Sequence, residues 1–239
     1  MAKTTGLQTK FYLAGVDMSA DVASISNIGY TQTLADTTNL SVSAMERIPS
    51  TIDGTLAISA FFDSANGHST WVPSGDIPTA DRNAFVGMST TVGEACLFGA
   101  FKQTSYYVSR PDAGTGAITC AIDLSASDGA SPSFAVLQTA GLETNAATDT
   151  YTAVDNAASS ASGGRMSVQC TSIGSGSITL SVEDSADNIT YASLASFTAI
   201  SAAGSSEIVS ISGTIDRYTK LVASGTFTNA VVIVGLSRS

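Results

Sequence analysis

Met166–Thr171 (MSVQCT), Ser177–Asp184 (SITLSVED), Glu207–Thr214 (EIVSISGT), Tyr218–Ala223 (YTKLVA) and Ala230–Leu236 (AVVIVGL) decide the fold class. Apolar positions in these runs alternate with Ser, Thr or charge, and Gly, Asn and Asp fill the gaps between them. A period of two sends one row of side chains to a core and the other to water. Short runs of that kind, separated by turn residues, are the signature of an antiparallel two-sheet module. The C-terminal part is therefore expected to be an antiparallel β-sandwich.

The rest of the chain reads in the same idiom. Phe11, Leu13 and Val16 suggest a strand, Asp17–Asp21 a turn, and Ile25 and Ile28 a looser strand over 23–30. Gly54–Phe62 is the clearest strand, with Leu56, Ile58 and Ala60 on one face. Further strands are expected at Ala84–Met88, Ala95–Phe101, Ser105–Arg110 and Ala117–Leu124, with the PDAGTG run at Pro111–Gly116 as a hairpin turn. Ser43 and Glu46 have capping-box spacing ahead of Pro49, which predicts one helical turn there. Thr31–Thr38 is a polar stretch leading into that segment, and Asp63–Pro78, rich in Gly, Asn and Pro, reads as a long loop with room for a helical turn near His68–Val72.

Between Ala140 and Ser162 the chain fills with Ala, Ser, Thr, Asn and Asp, the composition of a linker. The expected organisation is mainly β: an N-terminal β-sandwich or barrel over 1–142, a linker or domain entry over 143–162, and the C-terminal sandwich over 163–239.

The 239 residues include 44% hydrophobic but only 13% charged residues, so Ser, Thr, Gly and Ala cover much of the surface. That balance suits surfaces that become interfaces. Ten basic residues against twenty acidic ones give a net charge of −10, spread evenly along the chain. No basic cluster exists, which argues against attractive binding of nucleic acid and is compatible with a surface that repels it.

Cys96, Cys120 and Cys170 lie in apolar runs and are expected as buried free thiols. The N-terminus lacks an apolar stretch of signal-peptide length, and no apolar run is long enough to span a membrane, so synthesis in the cytoplasm is expected.

Chemistry-bearing constellations are scarce. His68 is the sole histidine and sits in NGHSTW beside Trp71, where a packed loop residue is the expectation; no nucleophile elbow accompanies it. Glu183–Asn188 (EDSADN) gathers oxygens that suit calcium, yet it lacks the ligand ladder of an EF-hand and falls where a hairpin turn uses the same residues. Lys102–Arg110 (KQTSYYVSR) interleaves aromatic and basic residues, but as a strand it sends Tyr106 and Tyr107 to opposite sides. Tyr218 and Phe227 are expected in the core. No catalytic residue, cofactor-binding residue or metal ligand is assigned, no cofactor is expected, and an enzyme is not the reading.

Several ordered segments resemble the major tail proteins of long-tailed bacteriophages, the subunits of the tail tube. They are DMSADVASIS at Asp17–Ser26, SAMERI at Ser43–Ile48, DGTLAISAFFD at Asp53–Asp63, PTADR at Pro78–Arg82, GEA at Gly93–Ala95, KQTSY at Lys102–Tyr106 and LQTAG at Leu137–Gly141. The C-terminal part is similar to the extra β-sandwich domain of such proteins, through Ile178–Leu194, Arg217–Thr228 and Val231–Arg238.

The resemblance implies a structural subunit of the virion tail. Its sheets would join between copies, rings of six would stack into a tube for DNA ejection, and the C-terminal domain would face outward. Implied partners are further copies of the chain, other tail proteins, phage DNA passing without specific binding, and a weak contact with host-surface glycans. The alternatives are a carbohydrate-binding module, which the few C-terminal aromatics and the absence of Trp after residue 139 support poorly, and another virion surface component.

Overall fold

The computed structural model describes residues 8–38, 44–63, 77–111, 116–129 and 131–239. It is all-β and antiparallel, as the alternating runs predict, and no described helix is long and apolar enough to cross a membrane. Backbone contacts divide the chain into two units. One comprises Met1–Ala20, Arg82–Ala100 and Ser133–Ser239; the other comprises Asp21–Asp81 and Phe101–Pro132.

The first unit opens with β1 (Lys10–Leu13) and β2 (Val16–Asp17), joined by Ala14 and Gly15. Both joining residues have positive φ, the conformation a two-residue hairpin turn requires. Only glycine fits at position 15, because an added Cβ would lie 2.3 Å from the Gly204 carbonyl carbon. Next come β5 (Arg82–Gly87) and the first residues of β6 (Ala95–Ser109).

The unit then runs through β8 (Ser133–Leu137), β9 (Glu143–Asn145), β10 (Asp149–Thr150), β11 (Val154–Asp155), β12 (Gly164–Ser172), β13 (Ser175–Ser185), β14 (Ala192–Ser196), β15 (Ser205–Ile211), β16 (Tyr218–Thr228) and β17 (Ala230–Arg238). One sheet follows the order β15-β12-β17-β8-β6-β5-β1-β2. A second follows β10-β16-β13-β14, with β11 also on β16.

Two cores fill this unit. Ile178, Leu180, Val182, Leu221 and Phe227 of the second sheet pack on Met166, Val168, Cys170, Val232, Val234 and Leu236. Tyr12, Phe85, Cys96, Phe98 and Leu137 enclose Ile233, whose side chain leaves β17 on the opposite face. β12 and β17 are thus covered on both faces. That explains why AVVIVGL, against the alternation expected of it, is a continuous apolar run while β13 and β16 alternate.

The first sheet curls so that β2 approaches β12 and β5 approaches β15. Side-chain amides bridge the gap where no strand ladder does. Gly15 N–H donates to Gln169 Oε1 at 2.6 Å, and Gln169 Nε2 donates to the Asn83 carbonyl at 3.1 Å. Asn83 Nδ2 in turn donates to Ser167 Oγ and to the Glu207 carbonyl.

The stretch 143–162, expected as a linker, contains three short strands: β9 pairs with β17, and β10 and β11 pair with β16. The expected boundary at residue 142 falls between β8 and β9, which share β17 as a partner.

The second unit is a sheet in the order β3-β4-β7-β6, built from β3 (Val22–Asp36), β4 (Arg47–Phe61), β7 (Thr119–Ala126) and the part of β6 from Phe101 onward. Leu56, Ile58 and Ala60 of β4 and Cys120, Ile122 and Leu124 of β7 are buried, so the face read from sequence is the apolar one. β6 and β7 form the predicted hairpin, closing at Ser109 and Thr119. Ala95–Phe101 and Ser105–Arg110, expected as two strands, are one continuous strand with a register shift between Gln103 and Ser105.

Two other expectations are corrected. Thr31–Asp36 continues β3 as strand, with a register shift between Gln32 and Leu34. Among the described residues no helical turn precedes Pro49: Arg47–Pro49 belongs to β4 and pairs with Leu34–Asp36. Pro49 is tolerated there because it sits at a register shift between Gln32 and Leu34, where the ladder is interrupted. Ser43, the expected cap, lies outside the described residues, as do residues 64–76 of the long loop, with the helical turn expected near His68–Val72.

Candidate assembly surfaces

Strand register in the second unit sorts side chains onto two faces. Ile52, Leu56, Ile58 and Ala60 share the apolar face of β4, joined there by Cys120, Ile122 and Leu124 of β7. Thr31, Thr33, Thr51, Asp53, Thr55, Ser59, Thr119, Asp123 and Ser125 share the other. The second face carries hydroxyls at most positions. Thr33 and Thr51 bond across the strands at 2.9 Å, and Ser105 Oγ donates to Asp123 Oδ2 at 2.7 Å.

The apolar face does not end where its cover ends. At the base of the β3–β4 hairpin, Ser131 and Pro132 lie against Gly54; a Cβ at Gly54 would come within 2.1 Å of the Ser131 carbonyl oxygen. Tyr30, paired in register with Gly54, donates its hydroxyl to the Pro132 carbonyl. Beyond this point the stripe runs on through Ile52 and Leu34, which are 54% and 55% exposed. The distal hairpin is therefore a two-stranded ribbon with its apolar residues in water. A ribbon of that kind is marginal alone and calls for a partner.

The sheet also ends in strands with a single partner. β3 pairs only with β4 among the described residues, and beyond Phe101 β7 is the sole strand partner of β6. Edges of this length normally invite pairing with another chain.

Lys102 lies on the hydroxyl face, in register with Ser125. Its ammonium donates to Asp81 Oδ1 at 2.5 Å and to the Thr79 carbonyl at 2.8 Å. The lysine holds the Asp81 carboxyl below the usual range.

The residues singled out for chemistry are dispersed. His68 and Trp71 lie outside the described residues. In Glu183–Asn188 the carboxylates are engaged separately: Glu183 pairs with Lys220 at 3.1 Å, and Asp184 accepts the Asp216 amide at 2.8 Å. Asp187 accepts the Thr190 and Ile189 amides, each at 2.9 Å, which lower its carboxyl below the ordinary value. The segment is a capped turn, and among the described residues no group of three or more His, Cys, Asp or Glu is gathered to hold a metal.

Cys96, Cys120 and Cys170 are buried free thiols. Burial raises the thiol values of all three. Phe227 is in the core as expected. Tyr218 is half-buried, with the Arg217 guanidinium 4.8 Å over its ring; its partner Ser185 is buried at the sheet end. Tyr107 is 68% exposed on the hydroxyl face.

Sequence reasoning missed the exposed apolar stripe of the hairpin, since Leu34 and Ile52 stand as isolated apolar residues in polar stretches. The available signal was thin: Leu34 and Ile52 each stand in a short run rich in Thr and Ser, Thr31–Leu34 and Ser50–Thr55.

No protein-family model matches the sequence, and no curated protein does. Among solved structures the chain is similar to the sheath/tube terminator of an extracellular contractile injection system, at 11% identity and a TM-score of 0.45, over 54% of this chain and 95% of that one. It is also similar to the Dit hub protein of phage SPP1, at 10% identity and a TM-score of 0.40 over 97% and 99% of the two chains. A third similar structure is the tail of an empty GTA particle, at 14% identity and a TM-score of 0.37 over 53% and 96%.

Proposed function

We propose that the protein is a non-enzymatic structural subunit of a phage tail, assembling through the β3–β4–β7–β6 sheet into stacked, hexameric rings that enclose a conduit for DNA. The observation that carries this reading is the apolar stripe of the distal hairpin, Leu34 and Ile52, left in water by the single chain. Each is only about half exposed, so covering the pair contributes about 1.5–3 kcal/mol per interface, which is reason for a second copy to cover it. The ordered sequence segments that resemble major tail proteins supply the identity of the assembly.

The strand order supports ring closure. Four antiparallel strands put β3 and β6 at opposite ends of the sheet and in opposite directions. A neighbour related by rotation would bring its β3 beside β6 in the antiparallel sense, so one head-to-tail contact repeats until the ring closes. The hairpin, projecting apolar residues past the covered sheet, would reach the adjacent ring. The hydroxyl face would then line the lumen, with Asp53 and Asp123 repelling phosphates at low salt. The outward face of β13 and β16 would stay solvated, as its Ser and Thr rows suit.

Disulfide trapping tests the ring contact. Cysteines placed singly on β3 between Ser24 and Thr31 and on β6 between Lys102 and Ser109 are expected to cross-link copies in a ladder that stops at a closed hexamer. Absence of cross-links in every pairing, or a product that stops at the dimer, contradicts it.

A further inference from the structure

The hydroxyl face of the second unit carries few charges, and their arrangement is uneven. By register, Asp53 and Asp123 stand on it as exposed carboxylates, and among the described residues Lys102 is its one cation. Lys102 is half-exposed, so its charge would be available to any anion crossing that face. Instead Asp81 and the Thr79 carbonyl take two of its three donors, at 2.5 and 2.8 Å. Asp123, two residues along β7 from the partner of Lys102, is engaged with Ser105. Asp81 thus neutralises the one positive point among the described residues of a face whose other polar side chains are hydroxyls and acids.

We propose that Asp81 masks Lys102, and that this masking keeps the hydroxyl face non-adhesive toward double-stranded DNA. The inference rests on the conduit reading for its biological setting. A polyanion sliding over a surface is held wherever a phosphate can displace a weaker partner from a cation, releasing counterions as it binds. An unmasked lysine repeated around a ring and along a tube would turn one weak contact into many, and multivalency makes such a row retentive. An ammonium that donates both to a backbone carbonyl and to a carboxylate is fixed against that carboxylate, which removes the foothold. Asp81 acts through Lys102 and is a positioning residue, not a binding one.

The test uses the full-length protein and a fluorescent duplex DNA as probe, read by anisotropy across a salt series. Electron microscopy of each sample records separately whether tubes form. Wild type is expected to show no salt-dependent binding. Asp81→Asn is expected to bind, with a slope in log–log salt plots of about 0.9 per phosphate neutralised. Asp81→Asn with Lys102→Gln is expected to return to the wild-type baseline, a rescue that a purely structural role of Asp81 would not give.

The proposal is overturned if Asp81→Asn binds no more DNA than wild type, or if its binding survives in the double variant. Tubes with an unchanged Asp81→Asn would sink the masking alone. Lys102-dependent binding by a protein that forms no tubes would leave the masking standing and remove the conduit reading.

Discussion

Gln169, fully buried on β12, donates its Nε2 proton to the Asn83 carbonyl at 3.1 Å while accepting the Gly15 amide at 2.6 Å. One side chain from the C-terminal part of the chain thereby satisfies two backbone groups from the N-terminal part of the same unit. Replacing Gln169 with Ala leaves both groups without that partner, at a cost of about 2–4 kcal/mol. The expected outcome is a lowered unfolding midpoint with an unchanged slope in urea denaturation. A shift under half a kcal/mol would mean that water substitutes freely for the amide.

Gly54→Ala places a methyl group against the Ser131 carbonyl oxygen, backbone that a rotamer change cannot move. Overpacking of this kind costs about 1–3 kcal/mol. The loss should appear as faster amide exchange at the hairpin base before any loss of the first unit's protection.

Leu34→Ser with Ile52→Ser alters side chains that are already more than half exposed. Thermal unfolding of the unassembled chain should shift little, since exposed positions contribute within about 0.5 kcal/mol. Self-association should be lost, as measured by sedimentation velocity. Intact association would show that copies meet elsewhere.

A chain ending at Thr139 lacks β17, and with it one of the two partner strands of β8 and the Ile233 side chain enclosed by Phe85 and Phe98. The expected product is insoluble or lacks a cooperative transition. A soluble fragment that melts cooperatively would show that residues 1–139 fold without the C-terminal strands.

Asp155 receives two bonds from Arg217, at 2.7 and 2.6 Å, and these depress its carboxyl to about 2. The sign follows from the depression: the ionised pair favours the fold above the unfolded value of 3.8, and the contribution is lost as pH falls through about 2. Both groups are exposed, so the effect on stability is small. In a carboxyl NMR titration Arg217→Gln should move the Asp155 midpoint back up toward its ordinary value.

The fold class was legible in sequence because alternation is a local property. Leu56, Ile58 and Ala60 occupy one face for the reason their spacing states. What stayed hidden depends on partners distant in sequence. TQTLAD reads as a polar connection, yet it is strand because Arg47–Ile52 lies beside it. Ser43 and Glu46 have the spacing of a helix cap, but the adjoining residues join a ladder that local preference does not anticipate.

The expected linker carries β9–β11 because β16 and β17 offer edges to it. The pairing of Lys102 with Asp81 joins residues with nothing in their local sequence to connect them. The candidate surfaces were accordingly the least legible part: an exposed Leu34 or Ile52 has meaning only once register places it on the continuation of a buried stripe.

The most direct test of the assembly account is cryo-electron microscopy of the purified full-length protein over a rising concentration series. The account predicts hollow tubes of stacked sixfold rings, with β3 of one copy beside β6 of the next. A monodisperse monomer at every concentration, with the Leu34 and Ile52 amides exchanging at unprotected rates, would contradict it.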